Sequence, residues 1–152
     1  MPRCRQAVNV VLDSSVLVSA LVDTGPEGVW AERILASGVL YAPELVHVEV
    51  TNTLRRLESS KAITTPEANA AYEDLLLLEI ELLPFAPFAD RIWELRATVK
   101  SYDAWYVAVA EATGSPLVTL DRRLTRAPGP KCEFLTPDPY DVVHDVDPPQ
   151  NR

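Results

Sequence analysis

Cysteine is nearly absent from this sequence, with Cys4 near the start, Cys132 near the end and no Cys-x-x-Cys pair. That excludes a disulfide-stapled scaffold and a thiolate zinc cluster, and fits two reduced thiols in a cytoplasmic protein. Histidine is as scarce. His47 and His144 lie far apart in the chain, so neither a histidine zinc site nor a histidine base is expected. Aromatic residues make up 7% of the chain. Trp30, Trp93 and Trp105 fall at helical positions, where core packing is expected rather than base stacking. No apolar run approaches the ~20 residues that span a bilayer. The stretch 8–22 follows Arg3 and Arg5 as a signal peptide would, but Asn9, Asp13, Ser14 and Ser15 interrupt it. Basic residues are also short: 14 Lys and Arg face 22 Asp and Glu, a net charge of −8. Such a chain repels nucleic acid at long range, so generic, direct DNA binding is not expected. The same charge fits a cluster of metal-binding carboxylates or a basic partner protein.

The 47% hydrophobic content is that of an ordinary globular protein, and 152 residues suffice for one compact domain. The pattern divides the chain into a tail at 1–7, a domain at 8–136 and a Pro- and Asp-rich tail at 137–152. Short apolar runs at 8–12, 39–42, 80–83, 116–120 and 132–135 read as strands. Between them, 15–22, 27–36, 44–59, 65–78, 88–99 and 102–113 read as helices, with a short helical turn at 121–126. Gly38 and Gly114 stop two of the helices, Pro66 sits in the first turn of another, and 23–26 is a loop. In the helix at 44–59, Val46, Val50, Thr53 and Leu57 make one face. Alternating strands and helices predict a three-layer α/β/α domain around a mostly parallel sheet.

In such sheets ligands bind beyond the carboxyl ends of the strands. Asp13 directly follows the first strand and Asp121 the fourth, so both project from that edge. Glu49 lies on the border of its helix's apolar face. Asp103 stands in the first turn of a helix that is apolar almost all round, through Ala104, Trp105, Val107, Ala108, Val109 and Ala110, and is therefore buried. Each acid alone has an ordinary explanation: a turn or cap for Asp13 and Asp121, a helix-dipole contact for Asp103, a solvated flank for Glu49. Together they propose carboxylates converging from separate segments. Such a cluster repels itself unless a cation compensates, and all-oxygen ligands suit Mg²⁺ or Mn²⁺. Ions held this way polarise a phosphate and activate water.

Four segments, Val-Leu-Asp-Ser-Ser-Val-Leu-Val (11–18), Pro-Glu-Leu-Val-His-Val-Glu-Val-Thr-Asn-Thr-Leu-Arg-Arg (43–56), Tyr-Asp-Ala-Trp-Tyr-Val-Ala-Val-Ala-Glu (102–111) and Pro-Leu-Val-Thr-Leu-Asp-Arg-Arg-Leu (116–124), resemble the PIN domain in order and spacing. They are similar in particular to the VapC toxins of bacterial toxin–antitoxin pairs. The resemblance covers residues 8 to 135. It implies a PIN-like fold and a metal-dependent endoribonuclease, in which Mg²⁺ or Mn²⁺ held by Asp13, Glu49, Asp103 and Asp121 activates a water to cut RNA. Asp13 and Asp103 match the positions most directly tied to the metal, and Ser15 and Thr119 match hydroxyls that support the carboxylates. The resemblance further implies a homodimer and a cognate antitoxin that sends a basic segment toward the acidic site.

Arg55, Arg56, Arg122 and Arg123 are candidates for a rim along the RNA backbone. Arg56, two turns beyond Glu49, is the best placed of them on the helix, and surface solubility is the competing account of each. A haloacid-dehalogenase-type phosphatase fits poorly, because Asp13 is followed by Ser14 and Ser15 rather than Asp-x-Asp. A receiver domain fits poorly too, because the mid-chain acid, Glu49, is on a helix. The remaining alternative is a non-catalytic PIN-like protein-interaction module, against which the intact acid set argues.

Overall fold

The structure is a computed structural model that describes residues 7–139. Cys4, His144 and most of both expected tails lie outside the described residues. Five strands form one sheet: β1 (Val10–Leu12), β2 (Leu40–Pro43), β3 (Ile80–Leu83), β4 (Leu117–Val118) and β5 (Phe134–Leu135). Their order is β3-β2-β1-β4-β5, and every neighbouring pair is parallel. Parallel pairing requires a crossover for each connection, which is why the short apolar runs alternate with helices. The helices are α1 (Ser14–Val22), α2 (Pro26–Leu35), α3 (Val46–Ser59), α4 (Thr65–Leu77), α5 (Ala89–Glu94) and α6 (Ser101–Thr113). Helices α1 to α4 pack among themselves, while α5 pairs with α6, and α6 lies against β1, β2 and β4. The result is the expected three-layer α/β/α sandwich around a parallel sheet. No helix among the described residues is long and apolar enough to cross a membrane.

The central strand β1 is wholly buried, as a strand covered on both faces must be. It begins at Val10 rather than Val8, which is exposed. The buried face of α3 is Val46, Val50 and Leu54, a strict four-residue repeat; Thr53 and Leu57 flank it, half-buried. That helix starts two residues later than the pattern predicts, because Glu44 is tied to the sheet through its N–H on the Leu83 carbonyl. The start of α4 is fixed by a capping box in which Thr64 and Glu67 satisfy one another's backbone donors. Gly114 ends α6 in the left-handed conformation at φ 63°. Gly38 has a different role from the helix stop that its position predicts: a Cβ there would sit 2.5 Å from the Val8 carbonyl oxygen, so only glycine lets these segments approach.

Two expectations fail here. The single helix over 88–99 is instead a 3₁₀ turn (Ala86–Phe88), the two-turn α5 and a second 3₁₀ turn (Leu95–Ala97). Thr98 ends it by turning its hydroxyl onto backbone carbonyls, 3.4 Å from Leu95 O and 2.7 Å from Pro128 O. Trp93 is 66% exposed, not packed in the core, because the short α5 buries the neighbouring Ile92; Arg96 covers the ring, 4.5 Å from its centroid. Trp30 is buried and Trp105 half-buried, edge-on to Phe85.

The connection from β4 to β5 is held on the far side by charge. Arg91 grips Glu111 through two bonds of 2.8 and 3.1 Å and donates to Gly129 O at 3.0 Å, while Glu111 also accepts the Lys131 N–H. This fixes the far end of the segment whose near end carries Asp121.

Candidate active site at the reversal of the sheet

Strand order runs outward from β1 in one direction through β2 and β3, and in the other through β4 and β5. The reversal therefore lies between β1 and β4, the place where an open parallel sheet leaves a crevice at its carboxyl edge. Asp13 leaves β1 there and Thr119 leaves β4. Their segments are latched together by the Asp13 N–H on Val118 O, at 3.0 Å.

Asp13 occupies the N-cap position of α1, yet its carboxylate does not cap the helix. Its Oδ2 instead accepts from Thr119 Oγ1 at 2.6 Å and from Ser15 Oγ at 2.9 Å. Each hydroxyl is itself oriented by a backbone donor: Leu120 N–H to Ser15 Oγ at 3.2 Å, and Asp121 N–H to Thr119 Oγ1 at 3.0 Å. The proton of each hydroxyl is thereby aimed at Asp13. One carboxylate oxygen is doubly held, while Oδ1 receives only a 3.5 Å contact from Ser14 Oγ. Asp13 is 8% exposed, so a buried carboxylate at the reversal keeps one largely unengaged oxygen.

Asp103 is the third residue of α6, and Lys100 holds the N-cap position. Among the described residues no hydrogen bond reaches the Asp103 carboxylate. Burial, then the negative charges of Asp13 and Asp121, push its pKa above the usual aspartate range, and Lys100 only partly offsets them. The dipole of α6 favours the Asp103 anion at this first-turn position, but burial and the two neighbouring carboxylates outweigh it. Glu49 is raised as well, by burial first, with Asp13 and Asp103 adding to it; the Tyr106 hydroxyl, donating to Oε1 at 2.6 Å, works in the opposite sense. Asp121 is the most exposed of the four. Strand β4 ends at Val118, so Asp121 stands three residues beyond it rather than directly after it; its Oδ1 accepts the Arg123 N–H at 2.8 Å and builds a turn there, while its charge still acts on Asp103.

All four predicted acids therefore feel one another in a chain from Glu49 through Asp13 and Asp103 to Asp121. Asp103 and Asp121 line one cavity of about 220 Å³ with Thr98, Val99, Lys100 and Arg123. Among the described residues no three His, Cys, Asp or Glu side chains form a ready-made metal cage. The donor set is nonetheless hard oxygen throughout, with mutual repulsion that a divalent cation would relieve, and it fits Mg²⁺ or Mn²⁺ in chemistry.

The arginines separate. Arg123 lines the acid cavity. Arg122 turns away to Pro137 O at 3.1 Å, Arg55 binds Asn52, and Arg56 reaches Thr53 Oγ1 at 3.5 Å without lining the acid cavity. Two residues of the site do not stand out in the sequence. Tyr106 reads as one more core residue of α6, although it follows Asp103 by three positions and so shares its face. Lys100 reads as the residue before a helix.

A PIN domain family model matches residues 10–130. The chain belongs to the PIN-domain family. Ribonuclease VapC1 of Mycobacterium tuberculosis is 38% identical over 125 residues, 82% of this chain and 94% of that protein. Ribonuclease VapC9 of the same organism is 34% identical over 123 residues, 81% and 94% of the two chains. Among solved structures, VapBC2 from Rickettsia felis, bound to a DNA fragment from its promoter, aligns at a TM-score of 0.61 with 17% identity, covering 85% of this chain and 98% of the other. Mycobacterium tuberculosis VapC20, described as a sarcin-ricin-loop-cleaving toxin, aligns at 0.59 with 19% identity over 76% and 92%. The PIN-domain match spans the whole acid-bearing region, from β1 through Asp121.

Proposed function

We propose that this PIN-domain protein is a metal-dependent endoribonuclease, the toxin of a toxin–antitoxin pair. The observation that carries the reading is Asp13: a buried carboxylate at the sheet's reversal that caps nothing, is clamped by two aimed hydroxyls on one oxygen and acts electrostatically on both Glu49 and Asp103. The VapC names of relatives at 34–38% identity support RNA as the substrate and the toxin role.

Asp13 and Asp103 would hold Mg²⁺ or Mn²⁺, with Glu49 and Asp121 completing the charge. The bound ion would supply neutralisation of the phosphate and a water acidic enough to attack at neutral pH. The protein's own part is positional. Ser15 and Thr119 fix the Asp13 carboxylate against rotation, and Tyr106 fixes Glu49 while stabilising its anion. The buried α6 holds Asp103 rigidly, so the site needs little reorganisation during reaction. Hydrolysis in line breaks the P–O3′ bond, leaving a 5′-phosphate and a 3′-hydroxyl.

The partner follows from charge. An acidic site on an acidic chain attracts an Arg- or Lys-bearing antitoxin segment, whose adjacent apolar residues would dock on the helices between Ser15 and Ser59. DNA contact in such a complex would fall to the antitoxin rather than to this chain, and the toxin is expected as a homodimer in the cytoplasm. The test is to map RNA ends in cells expressing wild type or Asp13→Asn, alone and with the neighbouring gene product. The reading expects new 5′-phosphate ends that vanish in the variant and on co-expression. Ends bearing 2′,3′-cyclic phosphate, or identical ends from the variant, would overturn it.

A further inference from the structure

The acids create a problem that they cannot solve themselves. A phosphodiester approaching four carboxylates on a chain of net charge −8 is repelled, and a divalent cation neutralises only part of that charge. Substrate affinity must come from cations placed at the site. Of the four arginines in the two arginine pairs, only Arg123 lines the cavity with Asp103 and Asp121, and it is joined there by one lysine, Lys100.

We infer that Lys100 and Arg123, which both line the Asp103–Asp121 cavity, form a phosphate-binding subsite for the RNA strand. The inference rests on the ribonuclease reading and adds to it the residues that grip the substrate. The two cations reach the cavity from different elements. Lys100 comes from the N-cap of α6, three residues before Asp103, and Arg123 from the turn after β4, two residues beyond Asp121. Both are exposed, and among the described residues neither side chain makes a hydrogen bond or an ion pair within 4.0 Å, so both are available to a ligand. The backbone around each is nevertheless fixed. Asp121 Oδ1 holds the Arg123 and Leu124 N–H groups at 2.8 and 3.4 Å, the Lys100 carbonyl receives the Ala104 N–H at 2.8 Å, and the neighbouring Thr98 hydroxyl reaches Pro128 O. Rigid stems with free heads suit an anion subsite: the arginine fork can take two oxygens of one phosphate, and the ammonium acts as a point charge on the next. Phosphate contacts of this kind set the register of the strand over the acids and read no sequence.

The test is fluorescence anisotropy of a labelled, mixed-sequence single-stranded oligoribonucleotide in EDTA, titrated with wild type, Lys100→Gln, Lys100→Arg, Arg123→Gln and Arg123→Lys across a salt series. Arg56→Gln and Arg122→Gln are the controls. Each neutralised subsite residue should weaken binding about 5- to 10-fold and flatten the log–log salt dependence by about 0.7, the share of one single-strand phosphate contact. The charge-conserving variants should recover the salt slope, and the controls should stay within about 2-fold. With Mg²⁺ or Mn²⁺ present, the neutral variants should raise KM and leave kcat within about 3-fold. Unchanged affinity and slope, or equal losses in the two controls, would overturn the subsite. Wild type that fails to cleave RNA with either metal would instead overturn the ribonuclease reading, and the anisotropy series in EDTA separates the two.

Discussion

Replacing Tyr106 by Phe removes one oxygen, which meets both Glu49 and Ser14, and so probes the Glu49 carboxylate through the pH dependence of the loss. The ring is 1% exposed, and its hydroxyl donates to Glu49 Oε1 at 2.6 Å. A hydrogen bond to a charged acceptor contributes about 1.5–3 kcal/mol, and one between neutral partners about 0.5–1.5 kcal/mol. Which value applies depends on the proton on Glu49. In wild type, burial raises the Glu49 pKa above its unfolded value, so ionised Glu49 lowers stability as pH rises through the folded pKa. The tyrosine opposes that loss. The phenol does not titrate in the working range, because burial and Glu49 hold its pKa above the usual tyrosine value. Tyr106→Phe should therefore raise the Glu49 pKa further. In metal-free protein it should cost about 0.5–1.5 kcal/mol at pH 4 and about 1.5–3 kcal/mol at pH 7. At about 2–4 °C per kcal/mol for a chain of this size, the melting temperature at pH 7 should fall by about 3–12 °C. The assay is urea and thermal unfolding of both proteins in EDTA at the two pH values. A cost that is equal at pH 4 and pH 7, or below about 0.5 kcal/mol at pH 7, would refute the coupling between Tyr106 and an ionised Glu49.

Asp103→Asn should be neutral or stabilising in EDTA at pH 7 and without benefit below the unfolded aspartate pKa, because the raised folded pKa means that wild type loses stability as pH rises through it. It should also shrink the melting-temperature gain on adding Mg²⁺ or Mn²⁺, whereas a purely structural aspartate would leave that gain intact. Thr119→Val keeps the shape of a wholly buried side chain but leaves Asp13 Oδ2 and the Asp121 N–H each short of a partner, so it should cost about 1–3 kcal/mol in chemical denaturation and lower kcat. Glu111→Ala strips Arg91 of its two-bond partner and should cost about 2–3 kcal/mol at pH 7. Burial pushes Glu111 up, but Arg91 and the Lys131 N–H outweigh it and hold the pKa low, so this stabilisation is present above the unfolded glutamate pKa and disappears as pH falls through the folded one.

The sheet was legible because its strands leave short apolar runs, most completely in the buried β1, and each run in the sequence corresponds to a strand, though β1, β4 and β5 are shorter than their runs. The four acids were legible as positions, since two follow strands that end at one edge, one opens a buried helix and Glu49 borders the apolar face of α3. What the sequence did not carry is which oxygen each acid offers. Asp13 and Asp121 both follow strands, yet only Asp121 spends an oxygen on its own turn, a difference that depends on Thr119 and Ser15 arriving from 106 and two residues away. Tyr106 was hidden because a buried tyrosine in an apolar helix looks like packing until Glu49 is placed opposite it. Arg56 looked best from helical spacing alone, but α3 turns it toward Thr53, whereas Arg123 reaches the acid cavity through a turn that periodicity does not describe. Trp93 misled for a related reason: a helix of two turns has no complete inner face to bury every apolar residue that it carries.

The most direct test of the account is single-turnover cleavage of a labelled RNA by wild type, Asp13→Asn and Asp103→Asn, each with Mg²⁺, with Mn²⁺ and with EDTA, with the product ends identified. The account predicts cleavage by wild type only with metal, products carrying 5′-phosphate and 3′-hydroxyl, and at least about 100-fold slower reaction in both folded variants. Cleavage that persists in EDTA, or variants that cut at the wild-type rate, would contradict the claim that these carboxylates hold the metal that cuts RNA.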